Sequence, residues 1–155
     1  MADPADRPNV LAPPPLVYVA ALIAGYVLQA LFPLRMPLPS LVRWTGAGVI
    51  LVSLAFGVPG RVAFARAGTE ANPFRPSTAL VTSGPYRFSR NPMYVGMTGL
   101  LVGLALITRI GWLLILLVPV LGVMHWGVVR REERYLEQKF GDLYRQYRCR
   151  VRRYI

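Results

Sequence analysis

Apolar residues fill four stretches of this chain, and polar residues fill the gaps between them. Residues 16–32 carry no charge and stop at Pro33 and the turn Pro37-Leu38-Pro39-Ser40. A second run, residues 41–58, reaches Pro59-Gly60, and Arg61 and Arg66 extend it as an amphipathic stub at headgroup level. The third, residues 92–108, is short and punctuated by Gly96, Gly99 and Gly103. Their spacings of three and four put them on one face, where a neighbouring backbone can come close, within the bundle or across a dimer. Arg109-Ile110-Gly111 predicts a tight turn, and residues 112–129 complete a helical hairpin. Runs near the ~20 residues that a bilayer requires are the signature of spanning helices. From Arg130 the pattern becomes a highly charged helix to about Phe140, broken at Gly141 and followed by an arginine-rich tail. The expected fold is all-α: an integral membrane bundle of about four transmembrane helices plus a C-terminal cytoplasmic helix. One domain covers residues 16–155. The Pro/Ala-rich residues 1–15 are expected to be a short disordered tail without the basic start of a signal peptide.

Composition agrees with the pattern. Hydrophobic residues make up 54% of the chain and charged ones 16%, against about a quarter charged in soluble domains. The net charge of +11 does not point to nucleic acid, because the arginines lie between apolar runs, where the positive-inside rule places them. From Arg61 to Arg90 there are five arginines and one acid, and from Arg130 onward nine basic residues and four acids. That asymmetry predicts a cell inner-membrane protein with both termini and the Arg61-to-Arg90 loop cytoplasmic. The two chemically rich segments then share one face. A single cysteine, Cys149, and a single histidine, His125, leave no intrachain disulfide and no zinc or iron ligand cluster.

Two segments carry candidate chemistry. Residues 83–96 read Ser-Gly-Pro-Tyr-Arg-Phe-Ser-Arg-Asn-Pro-Met-Tyr-Val-Gly. Gly84-Pro85-Tyr86 predicts a rigid turn presenting a tyrosine, and Asn91-Pro92 predicts a helix start with Asn91 as N-cap. A helix N-terminus flanked by Arg87 and Arg90 favours a carboxylate or phosphate. The second segment begins where the last apolar run ends, at Arg130-Arg131-Glu132-Glu133-Arg134. Stepping ~100° per residue, His125, Val129, Glu132 and Glu133 fall on one face of a continuous helix. Acids at a membrane boundary default to a site, here one suited to a ribose diol or an ammonium group.

These two segments, in this order and separated by one hairpin, resemble the isoprenylcysteine carboxyl methyltransferase and phospholipid methyltransferase group. The resemblance rests on Gly84-Pro-Tyr-Arg-Phe-Ser-Arg-Asn-Pro-Met-Tyr-Val-Gly96 and on Glu132-Glu133-x-x-Leu136-x-x-x-Phe140-Gly141-x-x-Tyr144-x-x-Tyr147. It covers residues 68–155, which would be the cofactor region. It implies a small membrane enzyme that uses S-adenosyl-L-methionine and a lipophilic or small methyl acceptor (a carboxylate, thiol or amine). It also implies cofactor contacts from Thr78, Leu80, Val81, Tyr86, Asn91, Pro92, Met93, Tyr94, His125, Glu132 and Glu133. Arg90, Tyr94 and Glu133 are the catalytic candidates. Two positions depart from the pattern. Asn91 stands where many relatives carry histidine, and Val128 and Val129 stand where the carboxyl methyltransferases place a substrate-binding arginine, Arg130 being nearest. No strand followed by Gly-x-Gly-x-x-Gly precedes a helix, so a Rossmann-type enzyme is not indicated. The alternatives are an NADPH-dependent membrane reductase of the steroid-reductase type and a non-enzymatic membrane interaction module. The sequence leaves the oligomeric state and the acceptor open.

Overall fold

The computed structural model describes residues 7–155. The described residues form six α-helices: α1 (Pro14–Leu31), α2 (Val42–Arg66), α3 (Pro92–Thr108), α4 (Gly111–Gly122), α5 (Arg130–Phe140) and α6 (Asp142–Arg150). A 3-10 turn over Gly84–Arg87 precedes α3, and a π-helical segment, Val123–Val129, runs α4 into α5. No strand forms among the described residues. Extended backbone pairs at an isolated antiparallel bridge between Arg35 and Ile110, which closes the two loops at that end of the bundle.

The all-α expectation therefore holds, and the chain is built for a membrane. Three helical runs are long and apolar enough to cross one: α1, α2 and the continuous run Gly111–Phe140. The glycine-rich α3 is apolar but only 17 residues long. Large side chains such as Leu51, Val52 and Val118 point outward, as they must where the surroundings are hydrocarbon.

Lipid gives apolar side chains no reason to leave it, so helices in a membrane associate through close packing and internal hydrogen bonds. The seam between α2 and α3 shows both. A methyl group on Gly103 would lie 2.8 Å from the Gly46 carbonyl oxygen, and one on Gly46 would lie 2.7 Å from that of Gly103. Farther along, a methyl group on Gly96 would lie 3.0 Å from the Gly57 Cα and from the Ser53 carbonyl oxygen. The glycine face read from the sequence is thus turned onto α2 of the same chain. Tyr18 joins α1 to this pair by a 2.8 Å hydrogen bond between its hydroxyl and that of Thr98. Leu113 of α4, fully buried, fills the groove over Gly25 of α1.

The amphipathic stub expected after Pro59 forms as part of one helix: α2 runs through the proline to Arg66. A proline is tolerated inside a membrane helix when packing holds the backbone, and Gly60 here sits against Pro92 and Met93 of α3. Of the expected tail, residues 1–6 lie outside the described residues, while residues 7–13 run along the bundle. Val10 is buried, and the Leu11 N–H donates to the Gly127 carbonyl at 3.0 Å. Gly141, at φ 53° and ψ −123°, then reverses the chain between α5 and α6. That backbone geometry favours glycine.

The α2–α3 seam yields a direct test. Gly103→Leu should lower stability by about 1–3 kcal/mol through overpacking against backbone, read as a lower unfolding midpoint in detergent. Gly48→Leu, where a Cβ meets nothing within 4 Å, should leave the midpoint unchanged.

Candidate active site

The loop that leads into α3 is pinned from both sides. Gly84, at φ 60°, opens the 3-10 turn. Tyr86 is buried with its ring edge-on to Phe64 of α2, the centroids 5.4 Å apart. The Tyr147 hydroxyl of α6 donates to the Tyr86 carbonyl at 2.8 Å. Burial, then the nearby Glu132 and Tyr147, push the Tyr86 phenol well above its usual range, so it stays protonated. Ser89 is fully buried, and its hydroxyl oxygen accepts the Asn91 N–H at 3.1 Å. Asn91 occupies the N-cap position of α3 without a capping side-chain bond. Its carbonyl accepts the N–H groups of Tyr94 and Val95, while its side-chain amide donates to the Arg153 carbonyl at 2.9 Å. The expected cap is therefore a tether to the far end of the chain.

Glu132 and Glu133 are neighbours on α5 but have different partners. The Tyr94 hydroxyl of α3 donates to Glu132 Oε1 at 2.7 Å. Glu133, 8% exposed, is held by two arginines. Arg90 Nη2 lies 3.0 Å from its Oε1, and Arg153 forks onto both oxygens, Nε to Oε1 at 3.0 Å and Nη2 to Oε2 at 2.8 Å. Paired, charge-assisted bonds of this kind are the stronger sort and fix the carboxylate plane. The bond to Glu133 raises the Arg153 pKa further above its ordinary value, so the guanidinium remains charged. Arg90 also donates to the Tyr144 hydroxyl at 3.5 Å. Burial first, and Glu133 second, push the Tyr144 phenol up to about 12 against the opposing pull of Arg90 and Arg148. It is a neutral hydroxyl at any physiological pH.

These elements enclose a cleft at the charged end of the bundle. Of the residues singled out in the sequence, Leu80, Val81, Tyr86, Arg90, Asn91, Met93, Tyr94, Glu132 and Glu133 line it. Thr78, Pro92 and His125 do not. Thr78 braces the loop instead, its N–H donating to the Thr69 hydroxyl at 3.0 Å and its own hydroxyl to the Gly68 carbonyl. Pro92 is fully buried as the first residue of α3. His125 was expected on the face of the two acids, but the π segment changes the phase. An i→i+5 register turns the chain less per residue than an α-helix, so His125 points away from the cleft and bonds the Tyr154 hydroxyl at 2.8 Å through Nδ1.

Several wall residues carry no role in the sequence reading. Phe64, Tyr135, Tyr144 and Tyr147 give the cleft aromatic faces, and the Tyr135 hydroxyl accepts the Ser77 N–H at 3.0 Å. Tyr144 and Tyr147 stand in the quoted motif, so their spacing was a usable signal. Arg153 had none, being one of nine basic residues after position 129.

A family model described as phospholipid methyltransferase matches residues 41–143. The chain belongs to the phospholipid methyltransferase family. That membership implies methyltransferase activity at a membrane, and the matched span runs from the start of α2 into α6. It therefore contains the 84–94 loop and both acids but stops short of Tyr144, Tyr147 and Arg153. The chain is also 37% identical over 68 residues to the nickel-cobalt-cadmium resistance protein NccN of Alcaligenes xylosoxydans xylosoxydans. That similarity covers 44% of this chain and 32% of the relative, so the chain spans only about a third of that protein. No solved structure matches the chain.

The buried ion pairs generate a prediction. Removing one partner from a buried pair typically costs about 3–5 kcal/mol, and Glu133→Gln would leave two guanidinium groups on a neutral amide. A loss toward the lower end is expected, because Arg153 is a third exposed. Denaturant unfolding in detergent would read it. Glu137→Gln, whose partner Arg148 is about half exposed, should cost no more than about 1 kcal/mol.

Proposed function

We propose that this protein transfers a methyl group from S-adenosyl-L-methionine to a lipophilic or small acceptor bearing a carboxylate, thiol or amine. The reading includes four spans, with α3 as the short one. It also places the cleft, the arginine-rich loop and both chain ends on the cytoplasmic side of an inner membrane, as the distribution of arginines favours. One observation carries the reading: motif segments from the 84–94 loop and from α5 converge on one cleft where aromatic faces, a carboxylate and a guanidinium meet.

The donor set fits this cofactor. A sulfonium favours aromatic faces and carboxylates, supplied by Tyr86, Tyr94, Tyr147 and Glu132. An amino-acid carboxylate favours a guanidinium. Arg90 Nε is buried without a hydrogen-bond partner among the described residues, which leaves a donor for an anionic group. When bound, the cofactor supplies an electrophilic methyl group, and displacement at that carbon requires no covalent enzyme intermediate. The protein's task is then to orient and to exclude water; well-aligned reactants gain up to ~7–11 kcal/mol from such placement. Tyr94 holds Glu132 toward the cleft, whereas Glu133 is already occupied by its two arginines. The division of labour we favour is Glu132 as the ligand-facing acid and Glu133 as the anchor for Arg90. Thr78, Pro92 and His125 support the cleft walls from outside it. The described residues offer no group of three His, Cys, Asp or Glu side chains suited to a metal ion.

The test is ligand binding by detergent-purified protein, comparing S-adenosylmethionine, S-adenosylhomocysteine and NADPH. Micromolar binding of the two methionine-derived ligands is expected. Glu132→Gln and Tyr94→Phe should each weaken it by about tenfold, the equivalent of about 1.4 kcal/mol. Binding of NADPH alone would replace the proposal with the reductase reading.

A further inference from the structure

The segment that follows α6, residues 151–155, leaves the helix in extended conformation at Val151 and returns to the site. Its contacts fall on three elements. The Arg152 carbonyl accepts the Arg90 N–H at 2.9 Å. The Arg153 carbonyl accepts the Asn91 side-chain amide at 2.9 Å and the Ser89 hydroxyl at 3.4 Å. The Arg153 guanidinium forks onto Glu133 of α5, and the Tyr154 hydroxyl bonds His125 of the π segment. None of these strap residues lines the cleft, yet the residues they hold, Arg90, Asn91 and Glu133, all do.

Resting on the methyltransferase reading above, we infer that Arg153 is a positioning residue for the cleft, acting through Glu133 and Asn91. Two features carry this. Glu133 already has a buried partner in Arg90, so docking the segment would not by itself call for a second guanidinium there. Arg153 also reaches a carboxylate oxygen that Arg90 does not: Arg90 pairs with Oε1, and Arg153 Nη2 takes Oε2. Without Arg153, Oε2 loses that partner, the carboxylate is free to turn, and the Arg90 guanidinium loses its fixed orientation with it. A buried ion pair keeps its geometry best when both carboxylate oxygens are held. The backbone bonds from residues 152 and 153 fix the 89–91 loop in the same stroke.

The experiment compares wild type, Arg153→Ala, Arg153→Lys and Tyr154→Phe as full-length proteins in detergent, with two readouts. Without ligand, backbone amide exchange across residues 84–94 should be at least about tenfold faster in Arg153→Ala than in wild type. With S-adenosylhomocysteine as the probe, Arg153→Ala should bind at least tenfold more weakly. Arg153→Lys, which keeps the charge and loses the fork, should recover part of that loss. Tyr154→Phe, which cuts only the bond to His125, should bind within twofold of wild type. Unchanged exchange in the 84–94 segment of a folded Arg153→Ala protein would overturn the proposal whatever the cofactor is. So would binding within twofold of wild type. Failure of wild type to bind either methionine-derived ligand would instead overturn the methyltransferase reading, and the exchange measurement would still decide the role of Arg153.

Discussion

A carboxylate buried at the edge of a bilayer must be neutralised, and Glu133 is neutralised twice. Its two arginines come from stretches far apart in the sequence, Arg90 from the loop before α3 and Arg153 from the segment after α6. Because the desolvation of all three groups offsets much of their attraction, the cluster contributes modestly to net stability. Its larger effect is geometric. Loop, α5 and final segment can satisfy these charges in one arrangement, and that arrangement brings Tyr94 to Glu132.

The charged cluster works because the helices beneath it are rigid. The α2–α3 seam brings Gly46 and Gly103 closer than a side chain at either would permit, and sets Gly96 tightly against Gly57. Helices in such contact cannot slide without a clash, so the start of α3 is a fixed platform from which Arg90, Asn91 and Tyr94 are presented. Proline 59 fits the same logic, lying where Gly60 meets Pro92 and Met93. The apolar half of the protein thereby sets the position of the polar half.

What the sequence made legible follows from how local each signal was. Hydrophobic runs and glycine spacing are properties of adjacent residues, so the helices and the glycine face of α3 could be read directly, and the fold supplies α2 as the partner of that face. The 84–94 motif and the acid pair were also legible, and most of the named residues meet in the cleft. Three features were not. The phase at His125 depended on a π segment that periodicity cannot reveal, because one extra residue per turn looks like noise in an apolar run. The Asn91 side chain had two possible partners, its own helix terminus and a carbonyl 62 residues away, and the distant one won. Arg153 was one arginine among many, and only the fold distinguishes the one that reaches Glu133 from those that face outward.

The separation between residues 89–91 and residues 152–153 also bears on how the molecule is made. A chain emerging from the ribosome can insert α1 to α4 and close the glycine seam before residues 152 and 153 have been added. The bonds from Arg152 and Arg153 must wait until synthesis has passed position 153. Up to that moment Glu133 has one arginine instead of two, so the loop at residues 89–91 takes its settled shape only after the helices that carry it are in place.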